Sequence, residues 1–312
     1  MRRSRLAWRP PSRPPASLLV LGSVVSIQIG QAFGKHLFAY LGPMGVASLR
    51  LTLAAAVLLL LWRPAFPRSW RTWGLITAFG ASIAGMNLIY PALAYLPLGM
   101  ATSLQLLGPL AVALFAARHR GQLAWCGLAI LGVGLFYLPG QVAFSLPGLL
   151  FALASGAAMG TYLLVNRSAG ANSQDGSLLA WAVAFAALLT LPFGIGESGE
   201  ALLDPSLLLA GLGLAIVSAV IPYSLDLAAL RRLPARLVGL LESLEPVVAG
   251  LAGLLVLGER LGPVQWLAIA CITLASAGAV ALQHRENGSR VAQALPLEAD
   301  PAARWREGKE RV

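Results

Sequence analysis

Ten apolar stretches, separated by short loops rich in Pro, Gly and charge, dominate the sequence. They run Ser17 to Gly34, Met44 to Trp62, Trp73 to Ala94, Leu98 to Ala117, Leu123 to Leu138, Leu146 to Asn166, Ser177 to Ile195, Ser206 to Leu230, Leu237 to Leu257 and Pro263 to Gln283. A helix needs roughly 20 mostly apolar residues to cross a bilayer's hydrocarbon core. The predicted fold class is therefore an all-α integral membrane protein with ten transmembrane helices. Composition agrees: 12% of the 312 residues are charged, against about 25% in soluble domains, and the mean hydropathy is +0.74.

The net charge of +10 does not point to nucleic acid, because the basic residues stand in short clusters between apolar stretches, as topology signals do. With a cytoplasmic amino terminus, every Lys and Arg except Lys35, Arg50 and Arg260 falls in a cytoplasmic segment, from Arg2 to Arg13 through to the tail. Both termini are thus expected in the cytoplasm of a bacterial inner membrane protein, with residues 1–16 a basic leading segment and 284–312 a solvated or frayed tail. The basic then apolar order at the start resembles a secretion signal but has no clean cleavage site, so it reads as a retained first span. Cys126 and Cys271 lie inside apolar stretches and indicate neither a disulfide framework nor a metal site.

The sequence also repeats itself. Leu96-Pro97, Gln105 and Gly108-Pro109 recur at one constant offset as Leu233-Pro234, Glu242 and Glu245-Pro246, and Gly121 and Trp125 recur as Gly262 and Trp266. The reading is two five-helix repeats, 17–138 and 146–283. A unit with an odd number of spans enters the membrane inverted in its second copy. Loop charge agrees: the loop after the second span is basic, whereas its mate carries Glu197, Glu200 and Asp204.

Ionisable groups inside a bilayer are costly and mark function by default. The acidic residues within the spans are Asp226, Glu242 and Glu245. At 1.5 Å per residue from Arg236, Glu242 lies roughly 9 Å and Glu245 roughly 14 Å deep, and their spacing puts both on one helical face. Two close carboxylates in low dielectric suit a proton carrier. Asp226 is placed either to pair with the arginines of the following loop or to meet substrate. Lys35 is expected to snorkel to the outer face, and the deeper Arg50 either to do the same or to pair with a carboxylate of the protein or of a substrate. Among neutral groups that enter the spans, including Gln28 and Gln31, the best candidates to line a cavity are Gln105, Asn87 and Tyr223. Pro91, Pro109, Pro222 and Pro246 are candidate helix breaks.

The ten-span plan, Tyr223-Ser224-Leu225, Leu233-Pro234, Glu245-Pro246 and Leu257-Gly258-Glu259 resemble the EamA-type branch of the drug/metabolite transporter superfamily. Leu49-Arg50-Leu51, Pro97-Leu98-Gly99, the run Gly108 to Phe115 and Pro222 to Leu225 are most like its threonine/homoserine-exporting members. The chain departs from their pattern at Gln105, where they carry Glu ahead of Gly-Pro; its repeat mate Glu242 supplies an acid instead. The resemblance implies export of small amino acids from the cytoplasm by proton antiport, with amino acid and protons as partners, the bilayer as solvent and no cofactor. A drug or other metabolite, purine-like for example, is the alternative solute. A membrane enzyme would need a cluster of His, Asp or Glu at the surface, and His36, His119 and His284 are scattered. A channel would need a ring of filter residues, and the sequence shows none.

Overall fold

The computed structural model describes residues 15–116, 122–138, 145–169 and 176–294. Its elements are helices α1 (Ala16–His36), α2 (Phe38–Trp62), α3 (Trp70–Met86), α4 (Ile89–Leu93), α5 (Leu98–Ala116), α6 (Gln122–Phe136), α7 (Leu146–Ala169), α8 (Gly176–Ser198), α9 (Pro205–Ala215), α10 (Ile221–Leu230), α11 (Ala235–Glu242), α12 (Glu245–Leu257) and α13 (Pro263–Ala294). Short segments join end to end, α3 with α4, α9 with α10 and α11 with α12. Among the described residues nine helical stretches are long and apolar enough to cross a membrane, and α6 is a shorter apolar helix. Each matches an expected span. The backbone of α13 stays helical to Ala294, past the expected end at Gln283.

With no water to exclude between helices in lipid, tight packing needs small residues at the seams, and glycine marks several of them. On α2 and α8, Gly45 meets Ser198 and Gly194 meets Ser48; on α5 and α7, Gly108 meets the Gly156 backbone; on α5 and α12, Gly99 lies against Gly250; on α6 and α13, Gly132 lies against Ile272. The packing is pairwise similar: α5 lies on α7 as α12 lies on α1, and α3 lies on α7 as α10 lies on α1. Large apolar side chains such as Leu60, Phe115 and Leu255 face outward, as a lipid solvent permits.

Three spans are interrupted. The α3–α4 pair turns at Asn87 and Leu88, and α11–α12 turns at Ser243 and Leu244. Between α9 and α10 lies one turn of π-helix, Ile216–Val220. Pro222 and Pro246 each sit at the second position of the helix after a break, where the missing N–H is tolerated, whereas Pro109 stays inside an unbroken α5. The start of α2 is kinked at Gly42, whose φ of 65° and ψ of 168° a side chain would strain. There Glu197, near the end of α8, accepts from the Met44 and Gly45 amides at 2.6 and 2.9 Å, so this acidic residue acts as a helix cap.

Candidate functional site

The π turn creates the first half of the site. Pro222 has no N–H, so neither the Ser218 carbonyl in α-helical register nor the Val217 carbonyl in π register receives its bond along the helix. Neighbouring helices supply the donors. Ser26 Oγ of α1 donates to Val217 O at 2.5 Å, and Arg50 Nη2 of α2 donates to Ser218 O at 2.6 Å. The Arg50 Nε also donates to Ser218 Oγ, and Nη1 to Asn87 Oδ1, both at 2.6 Å. Asn87 Nδ2 donates in turn to Ile83 O at 2.7 Å, which orients the amide oxygen toward the guanidinium. Arg50 also lies over the Tyr90 ring, 5.6 Å from its centroid. The helices approach closely because Gly30 of α1 faces Ser218 with no room for a Cβ.

Arg50 is 6% exposed, yet all three acceptors are neutral. The only ion pair among the described residues is Lys35 with Glu259. A buried cation without counter-charge is expensive, and in a membrane that expense marks a candidate binding site.

The second half is a set of carboxylates. Asp226 of α10, Glu242 at the end of α11 and Glu245 at the start of α12 are electrostatic neighbours, and Tyr162 of α7 and Tyr223 of α10 border the group. The break at Ser243 and Leu244 ends one helix at Glu242 and begins the next at Glu245. Glu245 therefore sits in a first turn, where the helix dipole favours negative charge. Asp226 lies beside Ser23 of α1, and its Oδ1 has no hydrogen-bond partner. From Ser218 to Asp226 the chain climbs about 12 Å, so this span carries groups from both halves of the site.

Two further walls are fixed by polar contacts. Gln105 of α5 donates to Ser155 Oγ at 2.7 Å, and Ser155 donates to Met86 O at 2.6 Å. At the far end, Lys35 is held by an ion pair. Its ammonium donates to Glu259 Oε1 at 2.7 Å and to Leu96 O at 3.2 Å, while Glu259 Oε2 accepts from the Leu98 amide at 2.8 Å.

The chain is 38% identical over 276 residues to the threonine/homoserine exporter RhtA of Escherichia coli K12, an alignment covering 86% of this chain and 92% of that protein. The same identity holds over 275 residues to the RhtA protein of Salmonella typhimurium LT2, with the same coverage. The EamA-like transporter family pattern matches residues 146–281. The chain belongs to the EamA-like transporter family. A solved structure described as "Crystal structure of protein" shares its fold, with a TM-score of 0.58 at 21% identity over 88% of this chain and 99% of that one.

In this EamA chain the structure brings Arg50 and Asn87 into direct contact, groups Asp226, Glu242 and Glu245, and sets Tyr223 within reach of Tyr90 and Tyr162. Gln105 stands apart, engaged with Ser155. Ser218 and Ser155 were not among the residues picked out in the sequence; the signal for Ser218 was Pro222 four residues later, which frees its carbonyl. Two clefts, of about 390 and 310 Å³, are lined almost wholly by apolar side chains, one by Leu49, Leu53, Leu191 and Ile195 and the other by Gly30, Phe33, Ala210 and Leu214. Neither includes Arg50 or the three intramembrane carboxylates.

Proposed function

We propose that this transporter exports small amino acids of the threonine and homoserine class in exchange for protons. One observation carries the reading: a buried guanidinium held by neutral acceptors, two of them on the span that also carries Asp226, about which Glu242 and Glu245 of the next span are grouped. An amino acid is a zwitterion and needs both. Arg50 holds the carboxylate by charge-assisted hydrogen bonds, and Glu245 receives the ammonium after releasing its proton inward, assisted by Glu242. Reprotonation from outside then frees the ammonium. Asp226, Asn87, Tyr223 and Gln105 shape the path. The names of the relatives, threonine/homoserine exporters at 38% identity, support this substrate class.

Alternating access in this reading uses two inverted five-helix repeats, 17–138 and 146–283, with both termini in the cytoplasm of a bacterial inner membrane. The pairwise similar packing of α5 on α7 and α12 on α1 supports it, as do the basic loops at Arg63 to Arg71 and Arg231 to Arg236.

The test is counterflow in proteoliposomes with threonine, homoserine and unrelated solutes, with and without a pH gradient. Threonine or homoserine exchange is expected, and Glu245→Gln is expected to abolish the gradient-driven component. Gradient-driven export by Glu245→Gln would remove that carboxylate from the coupling role. Movement of another metabolite and of no amino acid would assign a different solute.

A further inference from the structure

Gln28 and Gln31 of α1 are 1% and 7% exposed, yet their Oε1 atoms have no hydrogen-bond partner. Thr102 Oγ1 of α5, in a residue 1% exposed, is in the same condition. The large majority of buried polar atoms in folded proteins are paired, and inside a membrane an unpaired one is costlier still. Three in one region call for a ligand.

Their positions converge. Lys35 and the Leu98 amide meet at the same carboxylate, Glu259, so the two residues lie at one depth. One turn inward on each helix, about 6 Å, come Gln31 on α1 and Thr102 on α5. Two turns inward, about 10 Å, come Gln28 and Gln105. Gln28, Gln31 and Lys35 occupy one face of α1 by their spacing. The face carrying Ser23, Ser26 and Gly30 is the one taken up by α10 and the π turn. On α5, Leu98, Thr102 and Gln105 likewise share a face by their spacing, and Gln105 on that face bonds Ser155 of α7. The two polar stripes therefore lie at matching depths on two helices that both pack against α12.

We propose that Gln28, Gln31 and Thr102 form a side-chain subsite that reads the substrate's hydroxyl group. This rests on the reading of the chain as an exporter of hydroxylated amino acids and adds its specificity determinant. An amide presents both a donor and an acceptor, and a threonine or homoserine hydroxyl also does both. A site built to bond a hydroxyl rejects an isostere lacking it, since its own polar groups are then left unpaired. Valine, with a methyl in place of the threonine hydroxyl, is that isostere.

The experiment is counterflow of threonine against valine by the full chain and by Gln31→Leu, Gln28→Leu and Thr102→Val, with monodispersity after detergent extraction as the folding control. The wild type is expected to favour threonine, and each variant to lower the threonine-to-valine ratio by about tenfold, chiefly by losing threonine transport. Thr102→Val is nearly isosteric and keeps the test available where a glutamine variant fails to fold. Unchanged ratios in the folded variants overturn the subsite while leaving the amino-acid reading intact. A wild type that moves neither amino acid overturns both.

Discussion

Arg50 Nη2 donates to the Ser218 carbonyl at 2.6 Å because Pro222 cannot. A proline on one span and an arginine on another are thus two parts of one hydrogen bond, and the cation is held in place with its charge unneutralised. From this follows the expected behaviour of Arg50→Lys. A lysine is a point charge without the planar fork, so it reaches Ser218 or Asn87 but not both. Threonine counterflow is expected to fall by about 10- to 100-fold with little change in thermal unfolding. Wild-type counterflow in the lysine variant would contradict a carboxylate-binding role.

Pro222→Ala restores the missing amide. It gives the helix a donor that competes with Arg50 and Ser26 for the carbonyls of Ser218 and Val217. The expected outcome is a protein at least as resistant to heat as the wild type but several-fold slower in transport, read by unfolding and counterflow on the same preparation. A variant both destabilised and fully active would mean that the bond to Arg50 is incidental.

The glycine seams divide sharply by position. A Cβ at Gly108 collides with the Gly156 backbone, whereas a Cβ at Gly74 meets nothing within 4 Å. Gly108→Ala is therefore expected to cost about 1–3 kcal/mol through overpacking. Gly74→Ala in α3 is expected to gain about 0.5–1 kcal/mol by relieving helical glycine. Thermal unfolding in one detergent compares the two, and equal shifts would refute the contact-based account.

Asp204 separates structural carboxylates from working ones. It caps α9, accepting from the Ser206 amide and hydroxyl at 2.7 and 2.5 Å. These bonds, the hydroxyl first, hold its carboxyl below the usual range, which is about 3.9. A depressed value means that its contribution to stability is complete above that usual value and is lost only as pH falls through the lower folded one. Asp204 stays ionised throughout transport conditions, so Asp204→Asn should leave the pH profile of counterflow between about pH 5 and 8 unchanged. A displaced profile would give the loop a part in coupling.

Much of this was legible before any coordinates. The ten spans follow from apolar length, and the intramembrane acids follow from the rarity of such groups. Within the protein Arg50 meets neutral acceptors and no carboxylate, because its partners are backbone, hydroxyl and amide oxygens brought in by helix breaks, which no charge pattern reveals. Lys35 was expected to snorkel. Its ion pair with Glu259 depends on the left-handed turn at Gly258, φ 67°, that folds the end of α12 back toward α1. Three-dimensional closure decided both cases, since the paired residues are far apart in the chain and neither carries a local signal of its mate.

The turn of π-helix also sets the angular phase of everything that follows it. A π turn holds more residues than an α turn, so α10 emerges rotated from where an unbroken helix would carry it. Rewinding Ile216–Val220 as an α-helix with every residue kept would swing α10 by about 100°, whereas removing one residue would cancel that swing. With the swing, Asp226 would leave Glu242 and Glu245 for another face, with every titratable residue still present in the chain. Rewinding the turn at unchanged length is thus expected to uncouple transport from the proton gradient as thoroughly as the loss of a carboxylate. The timing of the helix, as much as its chemistry, is what this short stretch encodes.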